Sequence, residues 1–123
     1  MSDKILKIGI VDEIRYKKID EKSKIVTDLL GMPIDKGIRE LIVLLNCNNI
    51  GTTASCWGHK NWGNPYPWVH IHRDHLGELY NIISDLDIET LEMTDDIIIF
   101  PRTKDLVEGR KTFNKLKKKL KKL

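Results

Sequence analysis

The chain has 123 residues, 41% of them hydrophobic, which is enough for the core of one domain, and we expect a single domain over residues 1–123. The net charge of +3 is the sum of −5 on residues 1–101 and +8 on the basic end, residues 102–123. The sequence has no apolar run long enough for a transmembrane helix and no signal-peptide core. It therefore excludes a membrane protein and favours the cytosol, or the host bacterial cytosol if a phage encodes the chain.

The first part of the chain is predicted to contain one strand and one long helix. A β-branched run predicts a strand at residues 4–11. Residues 13–31 fit no single period, and we expect an extended charged stretch followed by a short helix that ends at Gly31. From Pro33 to Asn46 the apolar residues have helical spacing and cover most of the helix surface, which predicts a largely buried helix.

Six further elements are predicted after residue 50. Thr52–Cys56 and Trp68–His72 have the composition of short strands, separated by a loop rich in Gly and Pro. A helix is expected from Asp74 to about Ser84. A β-hairpin follows at residues 89–93 and 97–101, and then a basic amphipathic helix at about 104–123. The predicted class is α+β, with about five short strands and three to four helices in the order β-α-β-β-α-β-β-α.

The three tryptophans, Trp57, Trp62 and Trp68, lie within twelve residues of one another, and Tyr66 lies among them. They do not alternate as the side chains of a core strand do, and aromatic residues on loops commonly serve recognition. Flat rings on a rigid Gly and Pro frame can stack on a nucleobase. We expect at least two of these rings to contact a ligand; the alternative is that one or two close the end of the sheet.

The same segment carries polar groups that suit a nucleotide. The predicted ligand-binding residues are Arg39, Ser55, Cys56, Trp57, Gly58, His59, Lys60, Trp62, Tyr66, Trp68 and His70. Gly58 permits a positive φ and close approach to the backbone, and the amides of such a turn can bind an anion. His59, Lys60 and Arg39 would face phosphates, although a solvated surface charge is the simpler interpretation of Arg39.

Cys56 and the four histidines raise the question of a metal or a catalytic thiol. Cys-x-x-His followed by His-x-His, as in Cys56, His59, His70 and His72, can bind zinc. Loose histidine clusters also occur on solvated strands, and we expect neither a metal nor another cofactor. Cys56 and His59 are alternatively a nucleophile and its base, but no third group that would orient them is identifiable. The absence of a secretion signal predicts that Cys47 and Cys56 stay reduced.

Part of the chain carries an extended motif: Gly37-Ile38-Arg39-Glu40-Leu41, Leu45-Asn46, Gly51-Thr52-Thr53-Ala54-Ser55-Cys56-Trp57-Gly58-His59 and Pro65-Tyr66-Pro67-Trp68-Val69. This motif resembles a group of small bacterial and phage proteins of unassigned function. Those proteins carry a leucine-rich helix ending in Leu-Asn, then Gly-Ile-x-Thr, Ser-Cys-x-Gly-His and Pro-Tyr-x-x-Val. Residues 55–58 are also similar to the Ser-Cys-Ser-Gly turn of the wybutosine-synthesis methyltransferases, a tRNA-modifying family linked to S-adenosylmethionine.

Trp57 and His70 stand where the first group usually carries an acidic residue. A carboxylate-based reaction is thereby disfavoured, and an anionic or aromatic ligand is favoured. Small phage proteins of this size often sequester the nucleotide signals of bacterial immune systems, so the resemblance implies a similar role here.

The sequence therefore predicts non-catalytic binding of a nucleotide-like small molecule, in its most specific form by a phage anti-defence sponge. We expect a homo-oligomer, dimeric or larger, because a short chain with this much aromatic surface commonly builds a site between copies. One alternative is a metal-dependent hydrolase or phosphodiesterase that acts on a nucleotide. Another is an RNA-binding module driven by the lysine-rich end, so nucleic acid is a possible but not a favoured partner.

Overall fold

Six strands and three α-helices make up the described part of the chain, residues 5–9, 25–60, 63 and 65–123 of a computed structural model. The elements are β1 (Ile5–Lys7), β2 (Ile25–Thr27), α1 (Lys36–Cys47), β3 (Thr52–Cys56), β4 (Trp68–His72), α2 (Leu79–Ile83), β5 (Ile88–Glu92), β6 (Asp96–Pro101) and α3 (Leu106–Lys121). The predicted α+β class is confirmed, and from residue 36 onward the order is α-β-β-α-β-β-α.

The main sheet is antiparallel, with the strand order β3-β4-β6-β5. It consists of two hairpins placed side by side, so β4 and β6 are the central strands. Strands β1 and β2 form a separate parallel pair. That pair is joined to the main sheet where the Thr52 amide donates to the carbonyl of Gly9 at 2.8 Å.

Successive residues of a strand point to opposite faces, and this alternation divides the sheet into a buried and an open face. Val69 and Ile71 of β4, together with Ile97 and Ile99 of β6, are at most 1% exposed and belong to the hydrophobic core. Helices α1 and α3 supply the other side of that core. The opposite side of the sheet, here called the open face, carries the side chains between these residues, such as His70 and Ile98.

Helix α1 is largely buried, as predicted, but it begins later than Pro33. Pro33 instead forms an isolated β-bridge with Thr27, and Asp35 takes the N-cap position before Lys36. The bridge holds Pro33 in extended pairing with Thr27, so the helix starts after it. The Asp35 side chain makes no capping hydrogen bond and accepts from the Trp57 amide. At the other end, the buried Asn46 side chain donates to the carbonyl of Ile50 at 2.9 Å and thereby holds the turn into β3.

Two predicted helical segments differ in the structure. The segment expected to start at Asp74 is split by Gly77, at φ +51°, into a 3₁₀ turn at Arg73–His75 and the short helix α2. The helix expected before Gly31 is not formed by residues 25–31, which are β2 and a turn, because Ile25–Thr27 is a β-branched strand sequence. The remaining part of that prediction, residues 13–24, lies outside the described residues, as do residues 4, 10 and 11 of the strand predicted at 4–11.

Helix α3 is amphipathic, as predicted. The Asp105 carboxylate caps it by accepting from the Glu108 amide at 2.8 Å. Its apolar side buries Phe113, Leu116 and Leu120, whereas Leu123, which lies within the predicted helix, is 70% exposed beyond the observed helix end. In the part of the chain that the structure describes, no helix is long and apolar enough to span a membrane.

Candidate functional site on the open face of the sheet

A pocket of ≈ 270 Å³ lies on the open face, and we call it the aromatic pocket. Its lining residues come from four segments of the chain: Tyr66, Trp68, His70, Leu91, Ile98 and Phe100. Strand alternation explains the set, because Trp68 and His70 share one face of β4 while Ile98 and Phe100 share the same face of β6. The pocket thus lies mainly on the two central strands of the sheet.

The rings of the aromatic pocket form two tilted pairs. Tyr66 and Phe100 have their centroids 5.9 Å apart at an interplanar angle of 38°, and Trp68 and His70 are 4.9 Å apart at 56°. All four side chains are half-buried, and Leu91 at the rim is 52% exposed. Ring surface therefore remains accessible to a flat ligand from solvent.

His70 belongs to a hydrogen-bonded group that also contains Asp96 and Thr53. Its Nδ1 lies 3.2 Å from Oδ2 of Asp96, and the hydroxyl of Thr53 donates to the same oxygen at 2.8 Å. His70 and Asp96 keep 29% and 21% of their side-chain surface exposed. The group spans three strands, because Thr53 lies in β3, His70 in β4 and Asp96 in β6. Thr53 is at the position where the pairing of β3 and β4 is irregular.

The two ends of the aromatic pocket differ in charge. Beyond His70 a second depression of ≈ 220 Å³ is lined by Asp95 and Asp96 together with Met93 and Thr94. At the opposite end, Nε of Arg102 lies 2.9 Å from a carboxylate oxygen of Glu89, the cross-strand partner of Phe100, and a terminal nitrogen lies 3.9 Å from Asp87. The open face is thus acidic beside His70 and carries an ion-paired guanidinium beside Phe100.

Trp57 lies on the buried side of the sheet, although the sequence groups it with Trp68. A Cβ atom placed on Gly37 of α1 would lie 2.5 Å from two indole atoms, so Trp57 covers that glycine. The guanidinium of Arg110 lies over the indole, 5.2 Å from its centroid. Trp57 thus packs between α1 and α3 and contributes to the core boundary.

The turn that follows β3 uses its amides within the protein. The Trp57 amide donates to the Asp35 carboxylate at 3.1 Å, and the Gly58 amide donates to Sγ of Cys56 at 3.3 Å. Gly58 adopts the predicted positive φ, +91°, but its carbonyl accepts from Arg110 at 3.2 Å. This turn is therefore built into the fold, and the two amides proposed for an anion are already engaged.

Cys56 and His59 are in contact, with 3.2 Å between Sγ and Nε2. Burial raises the pKa of the Cys56 thiol above its ordinary value of 9.0 and the Asp35 carboxylate adds to this, while the Gly58 amide and Arg110 act in the opposite direction. A thiol with a raised pKa is a poor nucleophile near neutral pH. Among the described residues, no group of three or more His, Cys, Asp or Glu is placed to hold a metal ion.

The structure thus brings together three of the predicted site residues, Tyr66, Trp68 and His70. Arg39 lies on α1, on the helix side of the sheet, and Ser55 is the cross-strand partner of the buried Val69. Lys60 is exposed in the loop after β3, and Trp62 lies outside the described residues.

Sequence reasoning missed Ile98, Phe100, Leu91 and the supporting pair Thr53 and Asp96. A signal for Phe100 was present: in the predicted strand at residues 97–101 it alternates with two isoleucines. The pairing of β4 with β6 joins residues about thirty positions apart, and no local pattern shows it.

Comparison with known proteins gives no relative: no family model, no curated protein and no solved structure matches this chain. The resemblance to the small bacterial and phage group stays a prediction.

Proposed function

We propose that this protein binds a nucleotide-like small molecule without transforming it, and that the base lies in the aromatic pocket. The supporting observation is the convergence of Tyr66, Trp68, His70 and Phe100 on the exposed face of two central strands. Pockets for drug-sized ligands usually enclose about 300–1,000 Å³. At ≈ 270 Å³ the aromatic pocket is suited to one ring system rather than to a whole large ligand.

The charge distribution supports one orientation of the bound nucleotide. Phosphate groups are repelled by carboxylates, so the Asp95 and Asp96 end favours the base edge. Arg102 at the Phe100 end is 58% exposed on its side chain and offers a guanidinium for a phosphate, which would have to replace its contacts with both Glu89 and Asp87. The sugar and phosphate would then extend past Tyr66 and Phe100.

A matched pair of tyrosines tests the site. Tyr66→Ala removes a ring from the pocket, whereas Tyr80→Ala removes a 47% exposed ring on α2, outside the residues that line the pocket. Stacking is worth about 1–3 kcal/mol per base, so Tyr66→Ala and Trp68→Ala should each weaken nucleoside monophosphate binding about 5- to 100-fold, and Tyr80→Ala less than about twofold. Calorimetric titration measures both; equal losses in both tyrosine variants would contradict the site.

The absence of turnover is tested on the same samples. After incubation with the protein and release by heat, chromatography should return each nucleotide intact. A converted nucleotide would favour the hydrolase or phosphodiesterase alternative. The anti-defence form of the proposal rests on the resemblance to phage proteins, and protection of an infecting phage by the expressed protein would test it.

A second candidate, binding of single-stranded RNA, is supported by the position of the rings on the central strands. RNA-binding domains with a four-stranded sheet stack bases on aromatic side chains of the open face. Small-molecule binding predicts the same affinity for a mononucleotide and a longer oligonucleotide. RNA binding predicts affinity that rises with length and falls steeply with salt.

A further inference from the structure

We propose that His70 presents Nε2 to the aromatic pocket as a hydrogen-bond acceptor, and that the site thereby selects bases with an imino N–H, such as hypoxanthine, guanine and uracil. This inference rests on the proposed function, since it concerns the ligand of the same pocket. It goes further by naming the edge of the base that is recognised.

The hydrogen bonds behind His70 carry the argument. An ionised carboxylate only accepts hydrogen bonds, so both groups that meet Oδ2 of Asp96 must donate. The hydroxyl of Thr53 donates at 2.8 Å, and Nδ1 of His70, at 3.2 Å, then carries its proton toward Asp96. In the form of the imidazole that has a single N–H, this hydrogen is then on Nδ1, and Nε2 keeps its lone pair.

The location of His70 gives that lone pair a role. His70 lines both the aromatic pocket and the acidic depression beside it, and its ring lies next to Trp68. The surrounding groups at this end, Asp95 and Asp96, are also acceptors. A base edge that enters here meets acceptors and therefore needs donors.

Base chemistry then separates the ligands. Hypoxanthine, guanine and uracil carry a hydrogen on the ring nitrogen of the pairing edge, whereas adenine and cytosine have a lone pair at that position. A lone pair facing Nε2 leaves two acceptors opposed, so the hydrogen bond between base and protein is lost. Sites that hydrogen-bond a substrate group discriminate strongly against the analogue that lacks it.

The test compares inosine monophosphate with its N1-methyl derivative, which differs in the imino hydrogen. We expect the wild-type protein to prefer inosine monophosphate about tenfold, the effect of one hydrogen bond to a preorganised partner. His70→Phe keeps a ring in the pocket but has no acceptor, so it should bind both compounds with nearly equal affinity. His75→Phe, a change in the 3₁₀ turn outside the pocket, should keep the preference.

A separate measurement tests whether Asp96 determines which nitrogen of His70 carries the hydrogen. Nitrogen chemical shifts of His70 should report the Nδ1–H form in the wild-type protein and a mixture of both neutral forms in Asp96→Asn. Thr53→Val should reduce the preference for inosine monophosphate without abolishing binding.

The results of these experiments distinguish a failure of this inference from a failure of the proposed function. If no nucleotide binds, or if Tyr66→Ala binds as well as wild type, the proposed function fails and the inference fails with it. If nucleotides bind in the pocket but the methylated compound binds equally well, only the inference fails. A preference that persists in His70→Phe would assign the effect to the bulk of the methyl group and would also overturn it.

Discussion

Arg110 makes three contacts with the segment that follows β3. Its Nε donates to the carbonyl of Trp57 at 2.9 Å, a terminal nitrogen donates to the carbonyl of Gly58, and the guanidinium lies over the indole of Trp57. These contacts join α3 to the end of β3 and hold Trp57 against Gly37. Arg110 is thus a structural residue, and its contribution belongs to stability.

Replacing Arg110 by Met should lower the free energy of unfolding by about 2 kcal/mol, because hydrogen bonds from a charged donor and a cation–π contact are lost together. Lys111→Met, a change at an exposed neighbour with one surface ion pair to Glu108, should alter it by less than about 0.5 kcal/mol. Urea unfolding followed by circular dichroism measures both. Equal stability of the two variants would show that the Arg110 contacts contribute little.

The reactivity of the Cys56 thiol tests the alternative in which Cys56 is a catalytic nucleophile. In a Cys47→Ser background, Cys56 in the native protein should react slowly with Ellman's reagent near neutral pH. Because burial raises the pKa of this thiol above 9.0, the rate should keep increasing as the pH passes that value. Urea-unfolded protein is the control and should react at least about tenfold faster. A native thiol that reacts rapidly near neutral pH would instead revive the Cys56 and His59 nucleophile.

The two long helices are linked through Glu40. Its carboxylate lies 2.6 Å from Nζ of Lys121 and 3.9 Å from Nζ of Lys117. The hydrogen bond from Lys121 holds the pKa of Glu40 below its ordinary value of 4.5; partial burial acts against this, and the charges of both lysines add to the lowering. Lysines of the basic end thus connect α1 to α3 as well as carrying charge.

Glu40→Gln should destabilise the protein only where the carboxylate is ionised. A lowered folded-state pKa contributes stability that is present above the unfolded value and lost as the pH falls through the folded value. Since Glu40 is half-exposed, the loss near pH 7 should stay below about 1 kcal/mol and shrink in high salt. Urea midpoints of wild type and variant should converge as the pH falls below 4.5 and through the folded-state pKa of Glu40. Glu92→Gln, at an exposed position on β5, is the control, and a gap unchanged by pH would contradict the ion pair.

The sequence predicted most elements, because their signals are local. Helix α1, the strands β3 and β4 and the hairpin of β5 and β6 follow from periodicity and turn residues. The split at Gly77 and the strand β2 were not predicted. Gly77 has a positive φ, and a Cβ atom there would lie 2.9 Å from the carbonyl oxygen of Asn49, while β2 needs β1 as its partner. Both features involve contacts distant in the sequence.

For the whole molecule, the site was predicted in part. Closeness in sequence suggested that Trp57 and Trp68 share a pocket, but Trp57 follows Cys56, the cross-strand partner of Trp68, and packs on the opposite side of the sheet. Alternation along β4 puts His70 on the same face as Trp68. The partners of His70, Asp96 and Phe100, come from β6, and only the order of the strands brings them there.

The homo-oligomer expected from the sequence stays a prediction at this scale. Light scattering at micromolar concentration should give at least twice the mass of one chain. A monomeric mass, with nucleotide binding intact, would show that one copy of the aromatic pocket is sufficient.

The most direct test of the binding site is a titration of isotope-labelled protein with inosine monophosphate, followed by amide chemical shifts. Binding on the open face predicts shifts concentrated on β4 and β6, around Trp68, His70, Ile98 and Phe100. Shifts confined to residues 57–60 and to Arg39, with β4 and β6 unchanged, would contradict this account and return the site to the loop after β3.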